Sequence, residues 1–263
     1  MPVTIHLVRH AQGYHNLSVE NEQLPDPDLT ELGNKQCAGV RSRFHSHDKL
    51  THLVASPMRR TLHTCLQSFG PAPGDDDDFQ RTALLPVLAL PEIQEVSDNP
   101  CDTGSEVSRL EEEFRGTVDF SRVPAGWNEK KAASSPWEPT VEKLEARARK
   151  ARIALRELAA ASGKEDVHIA AVTHGAFLHF LTDDWSGVNV PTKGTAWENC
   201  EYRSYQFVDP TGQDPNAHIK ETQESWSARL KDQAMPTAED QAELRRTYYR
   251  ELGPFLKSQN SRH

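Results

Sequence analysis

The stretch Thr4-Ile5-His6-Leu7-Val8, continued by Arg9-His10-Ala11-Gln12-Gly13, decides how this chain is read. The apolar run has the length and pattern of a short buried strand, and the turn that ends it carries an arginine beside a histidine. Arginine is a planar fork that matches phosphate oxygens. Neutral histidine is a nucleophile, and the ordinary imidazole pKa leaves much of it neutral at pH 7. Together they suggest chemistry on a phosphate. A charged pair after one strand also fits a plain solvated turn, so the decision falls to the rest of the chain.

Working outward, residues 3–8 form the first expected strand. Asp28-Leu29-Thr30-Glu31-Leu32-Gly33 opens a helix, with Asp28 or Thr30 as cap, that runs to about His45. Thr51 to Ser56 reads as a strand, and Pro57 starts a helix through about Phe69. Thr82 to Leu90 reads as a strand interrupted by Pro86, and Ser105 to Arg115 as a helix. A long helix is expected from Glu138 or Thr140 to Ala161. Val167 to Val172 is a buried-type strand ending in Thr173-His174-Gly175, with a helix from near Ala176. Tyr202 to Val208 is a late strand, and Ala238 to Leu256 a terminal helix.

Strands alternating with helices imply an α/β fold, a three-layer α/β/α sandwich on a mostly parallel central sheet. One domain over residues 1–263 is expected, with an inserted cap region at about 97–140 and a polar C-terminal helical tail at about 210–263. Ligands in such folds bind beyond the carboxyl ends of the strands. Three strand ends carry reactive or anion-binding residues: Arg9-His10, Ser56 with Arg59-Arg60, and Thr173-His174-Gly175.

Composition narrows the function. The chain has 263 residues, 36% hydrophobic and 26% charged, with a net charge of −9. That balance argues against nucleic acid and anionic membranes as partners. A few arginines in a cleft still suffice for a small anionic substrate. The amino terminus lacks the basic and apolar regions of a signal peptide, and no apolar run approaches ~18 residues. Cys37, Cys65, Cys101 and Cys200 lack C-x-x-C spacing and read as free thiols in a reducing, cytoplasmic compartment. Asp75-Asp76-Asp77-Asp78 reads as a solvated loop, since contiguous aspartates lack the spaced ligands of a calcium loop. His45, His47 and His52 have no partners at metal-ligand spacing, so no metal is expected there. No pattern specifies an oligomeric state.

Taken together, Leu7-Val8-Arg9-His10-Ala11, Asn16, Leu29-Thr30-Glu31-Leu32-Gly33, Ser56-Pro57-Met58-Arg59-Arg60-Thr61, Glu95 and Thr173-His174-Gly175 resemble branch 1 of the histidine phosphatase superfamily, the phosphoglycerate-mutase-like family. Leu90 to Ser97 and Cys101-Asp102-Thr103-Gly104-Ser105 resemble a fungal, phosphatase-type subgroup of it. The resemblance implies that His10 attacks phosphorus and that Arg9, Arg60 and His174 clamp the phosphoryl oxygens. It also implies that Glu95 is the proton donor, with Glu92 as the alternative, and that Asn16 and His15 touch substrate. Arg60 is favoured over Arg59 by the family spacing from Ser56. No cofactor or metal is required, because two arginines and a histidine supply positive charge.

Two departures stand out. Ala11 replaces the usual glycine and is tolerable if its φ is negative, and Gln12 replaces a frequent glutamate. No basic cluster is evident between residues 97 and 140. The expected activity is therefore phosphomonoester hydrolysis of a small phosphorylated metabolite through a phosphohistidine. A mutase, or a pathway enzyme reusing the anion pocket for a non-phosphate substrate, is the first alternative. A non-catalytic phosphate-binding protein is the second.

Overall fold

The computed structural model describes residues 2–70, 85–188, 194–231 and 233–256. One sheet of seven strands organises them, in the spatial order β4-β3-β2-β5-β1-β6-β7. The strands are β1 (Val3–Arg9), β2 (Leu50–Ala55), β3 (Val87–Ala89), β4 (Val118–Asp119), β5 (Val167–Thr173), β6 (Tyr202–Phe207) and β7 (Ile219–Glu221). The first five run parallel; β6 and β7 are antiparallel additions at one edge.

Register is what builds a site here. Arg9 lies opposite Thr173, Ala55 opposite Val172, and Ala55 opposite Ala89. The parallel strands therefore end at one level, and the residues that follow, His10, His174 and Ser56, leave the sheet side by side.

Both sheet faces are covered. Every residue of β5 is buried, and alternate residues serve opposite faces. Val167, Ile169 and Ala171 join Ile5 and Leu7 against Leu144, Ala148, Ala151 and Leu155 of helix α4 (Val141–Ala161) and against α5 (Gly175–Thr182). Ala170 and Val172 join Val8 and Leu53 against α1 (Glu31–Arg43) and α2 (Arg59–Phe69). Each fully buried aliphatic side chain contributes roughly 1.5–3 kcal/mol. The three-layer α/β/α sandwich with a mostly parallel sheet is the observed architecture.

Local sequence explains the helix starts. Thr30 caps α1 by accepting the Gly33 N–H at 3.0 Å. A Cβ on Gly33 would lie 2.2 Å from the Gln12 carbonyl oxygen, so only glycine lets this turn pack on the loop after His10. Helix α2 begins at Arg59 rather than Pro57. Asp26 caps it from a distant loop, accepting the Arg59 N–H at 3.1 Å. Thr140, not Glu138, caps α4.

Some elements differ from expectation. The strand expected over 82–90 is Val87–Ala89, starting after Pro86, which has no N–H to give a ladder. Residues 71–84, with Asp75–Asp78, lie outside the described residues. The segment 97–140 is more than a cover. Its helix α3 (Val107–Glu113) and Phe114, Phe120, Val123 and Trp127 share the α2 core, and β4 extends the sheet. The region after 210 contributes strand β7, then α6 (Gln223–Leu230) and α7 (Ala238–Leu256). Tyr249 of α7 stacks on Phe180 of α5 with ring centroids 5.8 Å apart, so this helix is docked on α5. All four cysteines are buried free thiols. No helix among the described residues is long and apolar enough to cross a membrane.

Candidate active site

His10 follows β1 directly, and its backbone N–H donates to the Thr173 carbonyl at 2.9 Å. Its ring Nδ1 lies 2.7 Å from the Ala11 carbonyl oxygen. A carbonyl only accepts, so the proton is on Nδ1 and the lone pair is on Nε2. The ring is 2% exposed. Burial, and then the charges of Arg60, His15 and Arg9, hold its pKa well below the usual histidine value. His10 is therefore neutral at physiological pH with its nucleophilic nitrogen set. Ala11 is absent from the residues with positive φ, and its methyl is fully buried in the α1/α2 core. The expected tolerance of alanine holds for that reason.

Two rings flank His10: those of His174 and His15, each with its centroid at 5.3 Å. Arg60, in the first turn of α2, is fully buried. It donates to the Cys101 carbonyl at 2.5 Å, to Asp102 Oδ1 at 3.1 Å and to His174 Nδ1 at 3.1 Å. A guanidinium only donates, so His174 accepts at Nδ1 and gives its Nε2 proton to Ser56 Oγ, 2.9 Å away. Arg9 donates through one Nη to the Trp197 carbonyl at 2.5 Å. Three buried nitrogens around His10 have no partner: Arg9 Nε, Arg60 Nε and His15 Nδ1.

Glu95 comes from the loop after β3. Its Oε1 accepts the Val96 N–H at 2.9 Å and the Phe177 N–H at 3.1 Å, which seats the carboxyl on the first turn of α5, just after His174. Helix-end N–H groups favour the carboxylate. Burial and the neighbouring Asp102 outweigh them and raise its pKa, partly opposed by Arg60. Glu92 lies on the preceding turn, where its charge acts on Arg147. Of the two carboxylates, Glu95 is the one brought to His174 and Arg60.

The remaining candidates divide. His15 sits against His10, with burial and the two arginines pressing its pKa down to about 2. Asn16 is exposed, and its Oδ1 accepts the Gly13 N–H at 3.0 Å, closing its own turn. Arg59 is paired with Asp28 at 2.6 Å and Glu113 at 2.8 Å, apart from His10. Trp127, from the 97–140 segment, is fully buried over Gly104 and closes the fold there. A groove of about 720 Å³ lined by Pro2, Val3, Arg156 and Phe207 lies at the far end of the sheet from this chemistry.

Residues 5–215 match the histidine phosphatase superfamily (branch 1). The chain belongs to that family. Phosphoglycerate mutase-like protein 1 from Arabidopsis thaliana is 32% identical over 238 residues, covering 78% of this chain and 81% of its own. A probable phosphatase from Schizosaccharomyces pombe is 31% identical over 117 residues, 43% of this chain and 50% of its own. The solved ecdysone phosphate phosphatase from Bombix mori, in complex with tungstate, superposes with a TM-score of 0.52 at 16% identity, covering 77% of this chain and 88% of that one. At that identity the likeness is one of fold.

This member of the superfamily has a supporting layer that the sequence reading did not find. Lys130 is 1% exposed, and its Nζ donates to the carbonyls of Glu95 at 2.9 Å, Ser97 at 2.9 Å and Asp102 at 2.5 Å. Burial draws its pKa down to about 7. Arg147 donates to the Gln94 and Glu95 carbonyls at 2.8 and 3.2 Å and lies 4.5 Å over the Phe177 ring. Asp102 takes the Ser97 hydroxyl at 2.6 Å besides Arg60. Arg147 was discoverable: it shares the helical face of Leu144, Ala148 and Ala151. Lys130 sits beside Lys131 in an irregular stretch and has no such signal.

Proposed function

We propose that this protein is a phosphomonoesterase that hydrolyses a small phosphorylated metabolite through a phosphohistidine at His10. The observation that carries this reading is the pair of unpartnered buried guanidinium nitrogens, Arg9 Nε and Arg60 Nε, on the two arginines whose charges act on His10. A buried donor without a partner costs about 1–3 kcal/mol, and a phosphoryl group offers the acceptors these donors lack.

In the first step, His10 Nε2 forms a bond to phosphorus while the ester P–O bond breaks. Glu95, whose pKa burial and Asp102 raise, gives its proton to the leaving oxygen. Arg9 and Arg60 face the charge spread over the equatorial oxygens. His174 stays neutral and holds Arg60 in place by accepting its N–H at Nδ1. In the second step, Glu95 takes a proton from water, whose oxygen attacks phosphorus as the Nε2–P bond breaks. Nδ1 keeps its proton throughout, held by the Ala11 carbonyl.

A mutase would transfer the phosphoryl group to an acceptor held by a second anion site. The name of the Arabidopsis relative keeps that reading in play. Against it, Lys130 is committed to three backbone carbonyls. The test compares p-nitrophenyl phosphate hydrolysis by wild type and His10→Ala. A loss of about 10³-fold or more is expected; equal rates would overturn the reading.

A further inference from the structure

The segment Cys101-Asp102-Thr103-Gly104-Ser105 is part of the family resemblance, yet neither step of the reaction uses it. Its contacts lead to the start of α2, where Arg60 sits. The Cys101 carbonyl accepts from Arg60 Nη1 at 2.5 Å, and Asp102 Oδ1 accepts from Nη2 at 3.1 Å. The Ser105 N–H donates to Asp26 Oδ2 at 2.9 Å, and Asp26 Oδ1 accepts the Arg59 N–H that opens α2. A Cβ at Gly104 would lie 2.1 Å from Trp127 Cη2, so the buried indole packs directly on the backbone there. Both ends of the segment are thus fastened to the first turn of α2.

The arginine is held by two residues from different parts of the chain. His174 Nδ1, after β5, accepts from the same Nη2 that Asp102 accepts from. Asp102 is itself fixed. Its Oδ2 accepts the Ser97 hydroxyl at 2.6 Å, and its carbonyl accepts from Lys130 Nζ at 2.5 Å. Both Nη2 hydrogens and one on Nη1 are therefore taken by protein acceptors, while the buried Nε has no partner. Acceptors that hold a guanidinium in advance remove the cost of ordering it when charge develops in the transition state.

We infer that Asp102 is a positioning residue of this reaction: together with His174, its carboxylate fixes the Arg60 guanidinium in the orientation that receives the phosphoryl group. This rests on the phosphomonoesterase reading.

The same carboxylate acts on the proposed acid. Arg60, Lys130, Arg9, Arg147, Tyr248 and Asp102 all act on Glu95, and the negative charge among them is that of Asp102, which raises the Glu95 pKa. Removing that charge lets Glu95 lose its proton at lower pH.

The experiment measures kcat/KM for p-nitrophenyl phosphate in the full chain, for wild type, Asp102→Ala, Asp102→Asn, Arg60→Ala and the double variant Arg60→Ala, Asp102→Ala. Asp102→Ala should lose about 10²-fold, the scale of a slightly misplaced reacting group. In the Arg60→Ala background the same substitution should cost less than about twofold, because it acts through the arginine. Asp102→Asn keeps an acceptor oxygen for Arg60 and should lose no more than about tenfold. Its rate on ethyl phosphate should begin to fall at lower pH than that of wild type. An undiminished rate in Asp102→Ala would overturn the inference. So would a second 10²-fold loss in the Arg60→Ala background, which is how a folding defect or an independent role would show. Absence of turnover by wild type, with no phosphate on His10, would instead remove the phosphomonoesterase reading and this inference with it.

Discussion

The ammonium of Lys130 donates to the backbone carbonyl of Glu95 at 2.9 Å. A buried lysine from the segment before α4 thus fixes the proposed proton donor by its main chain, while the Val96 and Phe177 N–H groups seat its carboxyl. The same nitrogen holds Ser97 and Asp102, so the acid and the partner of Arg60 share one strut.

Lys130→Met should therefore lower stability by roughly 2 kcal/mol, because carbonyls lose donors while a costly buried charge is also removed. Urea unfolding measures this. Hydrolysis of an alkyl phosphate should fall more than that of p-nitrophenyl phosphate, which needs little protonation of its leaving group. Equal losses on both esters would reduce Lys130 to a purely structural role.

Glu95→Gln should cost about 10²–10⁴-fold on alkyl phosphates. Burial and Asp102 raise the Glu95 pKa above the ordinary carboxylate value, so its proton persists to higher pH and is lost as pH rises through that value. The wild-type alkyl phosphatase rate should decline over that range, while the phosphorylation step with p-nitrophenyl phosphate stays flat. Parallel pH profiles for both esters would contradict the assignment.

Acid should weaken the fold through His6. Its Nε2 lies 3.0 Å from His168 Nδ1, and burial, then the His168 charge, lowers its pKa from 6.5 to about 4. Between those values the unfolded chain binds a proton that the folded chain does not. Stability therefore falls as pH drops from 6.5 to about 4, by roughly 3 kcal/mol from this group. Urea midpoints at pH 7 and pH 4.5 should differ less in His6→Gln than in wild type. An identical difference in both would place the acid sensitivity elsewhere.

The sequence made the reaction centre readable because its residues sit at the ends of apolar runs. Once β1, β2 and β5 are parallel neighbours, Arg9, His10, Ser56 and His174 must converge, and the first turn of α2 brings Arg60 to them. The family resemblance favours Glu95 over Glu92 as the donor, while the Phe177 N–H contact that seats the Glu95 carboxyl is encoded by no local pattern. The family resemblance points to Asn16 as a substrate ligand; its side-chain Oδ1 accepts the Gly13 N–H and closes a turn, a local role the motif does not announce. Strands β4 and β7 escaped notice because two or three residues are too few to show an alternation. Lys130 escaped because a buried lysine is exceptional and its partners are all backbone oxygens.

The most direct test of the account is rapid-quench labelling with a phosphate ester radiolabelled on phosphorus. With labelled p-nitrophenyl phosphate, whose leaving group needs little protonation, the wild-type chain should carry acid-labile, base-stable phosphate that maps to His10, and Glu95→Gln should accumulate more of it, because water is no longer activated. Turnover without any label on His10, or label retained in His10→Ala, would contradict the phosphohistidine mechanism.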